Sequence, residues 1–123
     1  MNRVIHFEIP ARDPEAMISF FTNVFGWKFQ LWEGPMEYWT ITTGPDDAPG
    51  INGGMMREND STQPVVNTSD VADIDATAAL VEANGGTVVV PKMPIPGIGW
   101  LIYFTDPRGN IHGAMQTDPA AGS

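Results

Sequence analysis

Residues 3–27, RVIHFEIPARDPEAMISFFTNVFGW, decide the fold. Arg3 to Ile9 alternates as a strand does, with Ile5, Phe7 and Ile9 on one face and Val4, His6 and Glu8 on the other. The second face is the unusual one, because it pairs an imidazole with a carboxylate. Asp13 before Pro14 is an N-cap followed by proline at the first helical position, and Met17, Phe20, Phe21 and Val24 then repeat at helical spacing. An amphipathic helix is predicted, stopping at Gly26. Strands are expected at Trp27 to Trp32, at Tyr38 to Thr42 and, past the turn-rich GPDDAPG, at Ile51 to Met56. This half reads βαβββ.

From Gln63 the order begins again. A strand is predicted at Pro64 to Thr68, a helix from Val71 to Asn84 with a Gly85-Gly86 stop, and strands at Thr87 to Val90, Trp100 to Thr105 and Ile111 to Gln116. A shift of sixty residues lays Asp13 on Asp73, Phe20 on Leu80, Phe21 on Val81 and Gly26 on Gly86. The same shift lays Ile51-Asn52-Gly53-Gly54-Met55 on Ile111-His112-Gly113-Ala114-Met115. The fold expectation is therefore α+β: two βαβββ repeats forming a curved mixed sheet around a cleft, each with one helix outside. One domain is expected over 1–123, with repeat 1 at 1–60, repeat 2 at 61–118 and a tail at 119–123. The cleft is the expected functional site.

Composition narrows the chemistry. The 123 residues suit one domain, and 42% apolar against 17% charged residues supports a real core. No apolar run approaches the roughly 20 residues of a membrane helix, and MNRVIHFEIP lacks a signal-peptide core, so a cytoplasmic location is expected. Without cysteine there is no disulfide, zinc-thiolate site or thiol nucleophile. Six basic against 15 acidic residues give a net charge of −9, which argues against nucleic acid and anionic membranes as partners.

IHFEIPARDPEAMISFFTNVFGW (5–27), DVADIDATAALVEANGG (70–86) and FTDPRGNIHGAMQ (104–116) together resemble the vicinal oxygen chelate superfamily of glyoxalase I, bleomycin-resistance proteins and extradiol dioxygenases. The resemblance covers nearly the whole chain and is especially close to the bacterial subgroup related to lactoylglutathione lyase. It implies four metal-ligand positions, on the first and last strand of each repeat. The first falls on His6, seven residues before Asp13, and its repeat mate is Val66. The last-strand positions fall on Gly113 and, by the same shift, on Gly53. Three of those four carry no donor, whereas protein metal sites need three or four, so no metal cofactor is expected.

Each candidate residue has a second reading. His6 suits a metal ligand, a general base, a hydrogen-bonding group for a ligand, or a structural histidine. Glu8 lies about 6–7 Å along the same face, where it can share a proton with His6, sit on a solvated rim or pair with a base. Gly53 and Gly113 are either ordinary sheet glycines or a widened cleft floor, with Met55 and Met115 as apolar lining or as core. Trp39 and Trp100 lie on third strands with their faces unassigned, and Trp32 lies near an edge; Trp100 is carried as a ligand-binding candidate. PKMPIPGIGW (91–100) is expected as a surface loop that closes as a lid or packs on a second subunit, His112 as a residue facing away from the cleft, and TDPAAGS (117–123) as a disordered end. The resemblance also implies a homodimer.

Three functions follow as expectations. The first is a metal-independent cleft that binds a small, partly apolar or aromatic molecule for sequestration or sensing. The second is a lyase or isomerase in which His6 and Glu8 move a proton alpha to a carbonyl. The third is a metal-dependent lyase or dioxygenase with a rearranged site.

Overall fold

The structure, a computed structural model, describes residues 1–58 and 63–123. The repeat boundary expected at 60/61 lies outside the described residues. The α+β class is observed, with the element order βαβββ twice over. The chain divides into two compact units, His6–Val65 and Met1–Ile5 with Val66–Ser123.

The first unit holds most of β1 (Val4–Ala11), then α1 (Pro14–Phe25), β2 (Lys28–Leu31), β3 (Trp39–Thr42) and β4 (Asn52–Arg57). Its strand order is β2-β3-β4-β1, with β1 and β4 parallel and the other pairs antiparallel. The helix forms where its sequence signals say. The Asp13 carboxylate accepts the Ala16 N–H at 3.2 Å, Pro14 needs no partner in the first turn, and Gly26 takes the left-handed conformation at φ +72°. One face of the sheet packs beneath α1: Ile9, Ala11, Ile41 and Met55 are buried, with Met17, Ile18 and Phe21 of the helix laid against them. Burying each large side chain there contributes about 1.5–3 kcal/mol.

The second unit holds β5 (Val66–Asp70), α2 (Ile74–Ala83), β6 (Thr87–Ile95), β7 (Gly99–Thr105) and β8 (Ile111–Thr117), in the order β5-β8-β7-β6. The chain's first residues join it, since Asp70 exchanges backbone bonds with Asn2 and Arg3 at 2.7 and 2.9 Å. Asp73 caps α2 through the Ala76 N–H at 3.0 Å, and Val71, Ile74, Ile102 and Ala114 form the core beneath it. Among the described residues no helix is long and apolar enough to cross a membrane.

Two sequence expectations are corrected here. Pro91–Ile95 is not a lid but the continuation of β6, paired with β7 through Ile95↔Gly99. Proline is compatible with this strand because β6 lies at the end of the sheet order, and the ladder absorbs Pro91 in an irregularity between Val90 and Met93. The tail is not loose either. Asp118 N–H bonds the Ile98 carbonyl at 2.9 Å, Gly97 N–H bonds the Ala121 carbonyl at 3.0 Å, and Ala121 is only 2% exposed.

The register also corrects the repeat arithmetic. Glu8 pairs with Gly54 and Thr68 pairs with Gly113, and Glu8 and Thr68 are sixty residues apart. The structural mate of Gly113 is therefore Gly54, not Gly53, so the second repeat is one residue shorter before its last strand. A slip of one residue exchanges the two faces of a strand.

Candidate functional site

The helix-free face of the first unit carries the chemistry. Along β1 that face presents His6 and Glu8, both half-buried, and along β4 it presents Gly54, the register partner of Glu8. Tyr38, immediately before β3, completes the group. Its hydroxyl lies 2.7 Å from His6 Nε2 and 3.5 Å from Glu8 Oε2, so the phenol oxygen stands between imidazole and carboxylate. Gly54 makes this placement possible, because a Cβ at that position would run into the Tyr38 hydroxyl. The Trp32 ring meets the Tyr38 ring edge-on at 6.2 Å, and the Trp32 N–H holds the Tyr38 carbonyl at 2.7 Å.

The environment keeps this cluster neutral at its centre. Burial lowers the His6 pKa below its ordinary 6.5, so the imidazole is uncharged at neutral pH. Tyr38 is pushed well above the usual phenol range, first by burial, then by the nearby charge of Glu8 and its hydrogen bond. The phenol proton thus has two acceptors, Nε2 at 2.7 Å and Oε2 at 3.5 Å, and the shorter contact with an uncharged imidazole favours Nε2. Thr40 shares the face, but its hydroxyl is engaged with the Gln30 carbonyl at 3.3 Å. Titratable groups perturbed together on one face make it the candidate functional site.

The structure brings together His6 and Glu8, and it puts Gly53, Met55 and Trp100 on the helix-covered faces of their units. Gly53 and Met55 do not share the face of His6 and Glu8. Met55 is fully buried under α1, and a Cβ on Gly53 would meet the Phe7 ring at 2.7 Å, so neither lines a site beside His6. In the second unit Gly113, Met115 and Val66 are on the face opposite α2, as expected from alternation. Gly113 is not open floor, however, since a Cβ there would meet Thr68 Oγ1 at 2.7 Å. Trp100 lies on the α2 side. Its indole N–H donates to Asp118 Oδ2 at 3.0 Å and Lys92 Nζ sits 4.7 Å above its ring, which commits it to anchoring the tail. His112 also faces α2, stacked on Phe104 at 5.5 Å and bonded to Asp106 Oδ2 at 3.0 Å.

Of the four positions that the resemblance gives to metal ligands, only His6 carries a donor side chain. Val66 has no lone pair, Gly53, Gly54 and Gly113 have no side chain, and His6 Nε2 is covered by the phenol oxygen. Among the described residues no three His, Cys, Asp or Glu side chains converge to hold a metal.

Tyr38 and Gly54 were the residues that sequence reasoning missed. Alternation along Tyr38-Trp39-Thr40 puts Tyr38 level with Thr40, but only the pairing Thr40↔Gly54 joins that face to β1.

The family model of the Glyoxalase/Bleomycin resistance protein/Dioxygenase superfamily matches residues 3–111. A glyoxylase-like domain-containing protein from Didymella fabae is 29% identical over 123 residues, covering 96% of this chain and 95% of its own. Among solved structures, methylmalonyl-CoA epimerase from Mycobacterium tuberculosis superposes with a TM-score of 0.67 at 12% identity, over 94% of this chain and 88% of that one. A hypothetical protein from Bacillus halodurans C-125 does so with a TM-score of 0.69 at 13% identity, over 98% of both chains.

Proposed function

The chain belongs to the glyoxalase/bleomycin resistance protein/dioxygenase superfamily, and on that premise we propose that it is a metal-free acid–base enzyme of the isomerase or lyase kind, acting on a small neutral carbonyl compound. The observation that carries this reading is the phenol of Tyr38 held 2.7 Å from His6 Nε2 and 3.5 Å from Glu8 Oε2. An uncharged imidazole accepts the proton removed from the carbon beside the carbonyl, and the Glu8 carboxylate stabilises the imidazolium as it forms. Positioned acid–base groups of this kind contribute about 10²–10⁴-fold in rate. The coenzyme A ester in the name of the structural neighbour is not carried over, because a net charge of −9 opposes so anionic a molecule.

The test is a screen for deuterium uptake from D2O by small ketones and keto esters, with metal analysis of the same preparation. Uptake that is catalysed by metal-free protein and lost in His6→Ala supports the reading. Uptake that disappears with chelation, or survives in His6→Ala, overturns it.

A second reading, sequestration without reaction, draws on the Trp32–Tyr38 aromatic pair beside the cluster. It predicts ligands that raise the melting temperature equally in wild type and His6→Ala while remaining chemically unchanged. The homodimer has support in Phe20, Val24 and Phe25 of α1, which are 55, 54 and 61% exposed. Sedimentation of wild type against Phe20→Ser tests it: a dimer in wild type with a monomer in the variant is the expected outcome.

A further inference from the structure

Resting on the acid–base reading of this site, we infer that Tyr38, and not His6, is the group that touches the substrate carbon, passing the proton on to His6 as a relay. The argument begins with access. The lone pair on a neutral imidazole nitrogen lies in the ring plane and serves one partner at a time. At 2.7 Å the Tyr38 oxygen holds that position on Nε2. A substrate proton bound for Nε2 must either evict the phenol or travel through it.

Three features favour travel through it. The phenol stands in a place made for it, because Gly54 leaves vacant the volume that any other residue's Cβ would take. Trp32 holds the ring through the edge-on contact at 6.2 Å and the Tyr38 backbone carbonyl through its own backbone N–H at 2.7 Å. Tyr38 alone is also a poor base, since burial and the Glu8 charge both oppose a free phenolate. Its oxygen becomes basic only while His6 withdraws its proton, which is the logic of any hydroxyl activated by a neighbouring imidazole.

The step balances without a co-reactant. The carbon–hydrogen bond breaks and a new O–H forms on Tyr38, while the original phenol O–H breaks and N–H forms on His6 Nε2. The carbon's electron pair becomes the enolate double bond, and the carbonyl π pair moves to oxygen. Return of the proton along the same path, to the same or a neighbouring carbon, completes an isomerisation.

The experiment follows deuterium uptake at C2 of ethyl 2-methylacetoacetate in D2O by proton NMR, with wild type, Tyr38→Phe, His6→Ala and the double variant. The relay predicts a loss of about 100-fold or more in each single variant and no further loss in the double, because residues acting as one unit are not additive. It also predicts a curved proton inventory in mixed H2O and D2O, reporting two protons in flight. Tyr38→Phe retaining the wild-type rate, or exceeding it, overturns the relay while leaving the acid–base reading intact. Multiplicative losses in the double variant overturn it as well. His6→Ala retaining the wild-type rate, or no acceleration by wild type over the protein-free rate, removes the acid–base reading itself.

Discussion

Matched by strand register, the two repeats set His6 against Val66, Glu8 against Thr68, Gly54 against Gly113 and Tyr38 against Leu101. The strand order is the same and the chemistry is not. In the first repeat these places hold a titratable, half-buried cluster whose members satisfy one another. In the second they hold side chains that are 2%, 3% and 6% exposed for Val66, Thr68 and Leu101. One copy of a duplicated unit is thus free to carry polar groups that cost stability, while its mate keeps to burial. The sharpest way to break this contrast is to remove one residue from each column. His6→Ala is expected to lower catalysed proton exchange about 10²–10⁴-fold with little change in stability. Leu101→Ala is expected to cost about 2–5 kcal/mol on chemical denaturation. Exchange that survives in His6→Ala would dissolve the distinction.

The next effect separates two methionines that the sequence treats as equals. Met55 is fully buried under α1, whereas its counterpart by the sixty-residue shift, Met115, is half-buried on the face opposite α2. Met55→Ala should cost about 2–5 kcal/mol and Met115→Ala less than about 2 kcal/mol. Equal losses in urea melts would restore the sixty-residue register that the strand pairing rejects.

That pair of methionines also shows what the sequence can and cannot reveal. Periodicity located both helices, and caps fixed the first because Asp13, Pro14 and Gly26 act within a few residues of themselves, whereas the second begins at Ile74 behind the Asp73 cap and not at Val71. The last strands depended on register across sixty residues. Gly53 and Gly54 are adjacent glycines, so a one-residue slip leaves the alignment with Gly113 looking unbroken while every neighbour changes face. Tyr38 was invisible for a related reason: it reaches His6 only because β3 pairs with β4 and β4 with β1. The prolines of β6 misled in the opposite direction, since they forbid a central strand but not an outer one.

A smaller contrast lies between the two mated glycines. Gly113→Ala would press on Thr68 Oγ1 at 2.7 Å and cost about 1–3 kcal/mol without touching proton exchange. Gly54→Ala should have a similar stability cost, but it drives the phenol off His6 and should therefore reproduce the exchange defect of Tyr38→Phe. Gly54→Ala with wild-type exchange rates would show that the phenol's position does not matter.

The smallest effect is in pH, and at this matched position only the first repeat should show it, because Val66 has nothing to titrate where His6 stands. Burial lowers the His6 pKa from its ordinary 6.5, so below that value the unfolded chain binds a proton that the folded chain refuses. Stability is then unaffected by this group at neutral pH and above, and declines as pH falls from 6.5 through the lowered pKa. Catalysed exchange should fall over the same range, since a protonated imidazole accepts nothing, and it should show no alkaline loss across the ordinary phenol range because Tyr38 titrates above it. Unfolding midpoints of wild type and His6→Gln should agree above pH 7 and diverge below 6.5, with wild type losing more. The reverse divergence would mean that the Glu8 carboxylate outweighs burial and holds His6 as a cation. The phenol would then donate toward Glu8 and not toward His6, and the contrast between the repeats would be one of charge instead of proton transfer.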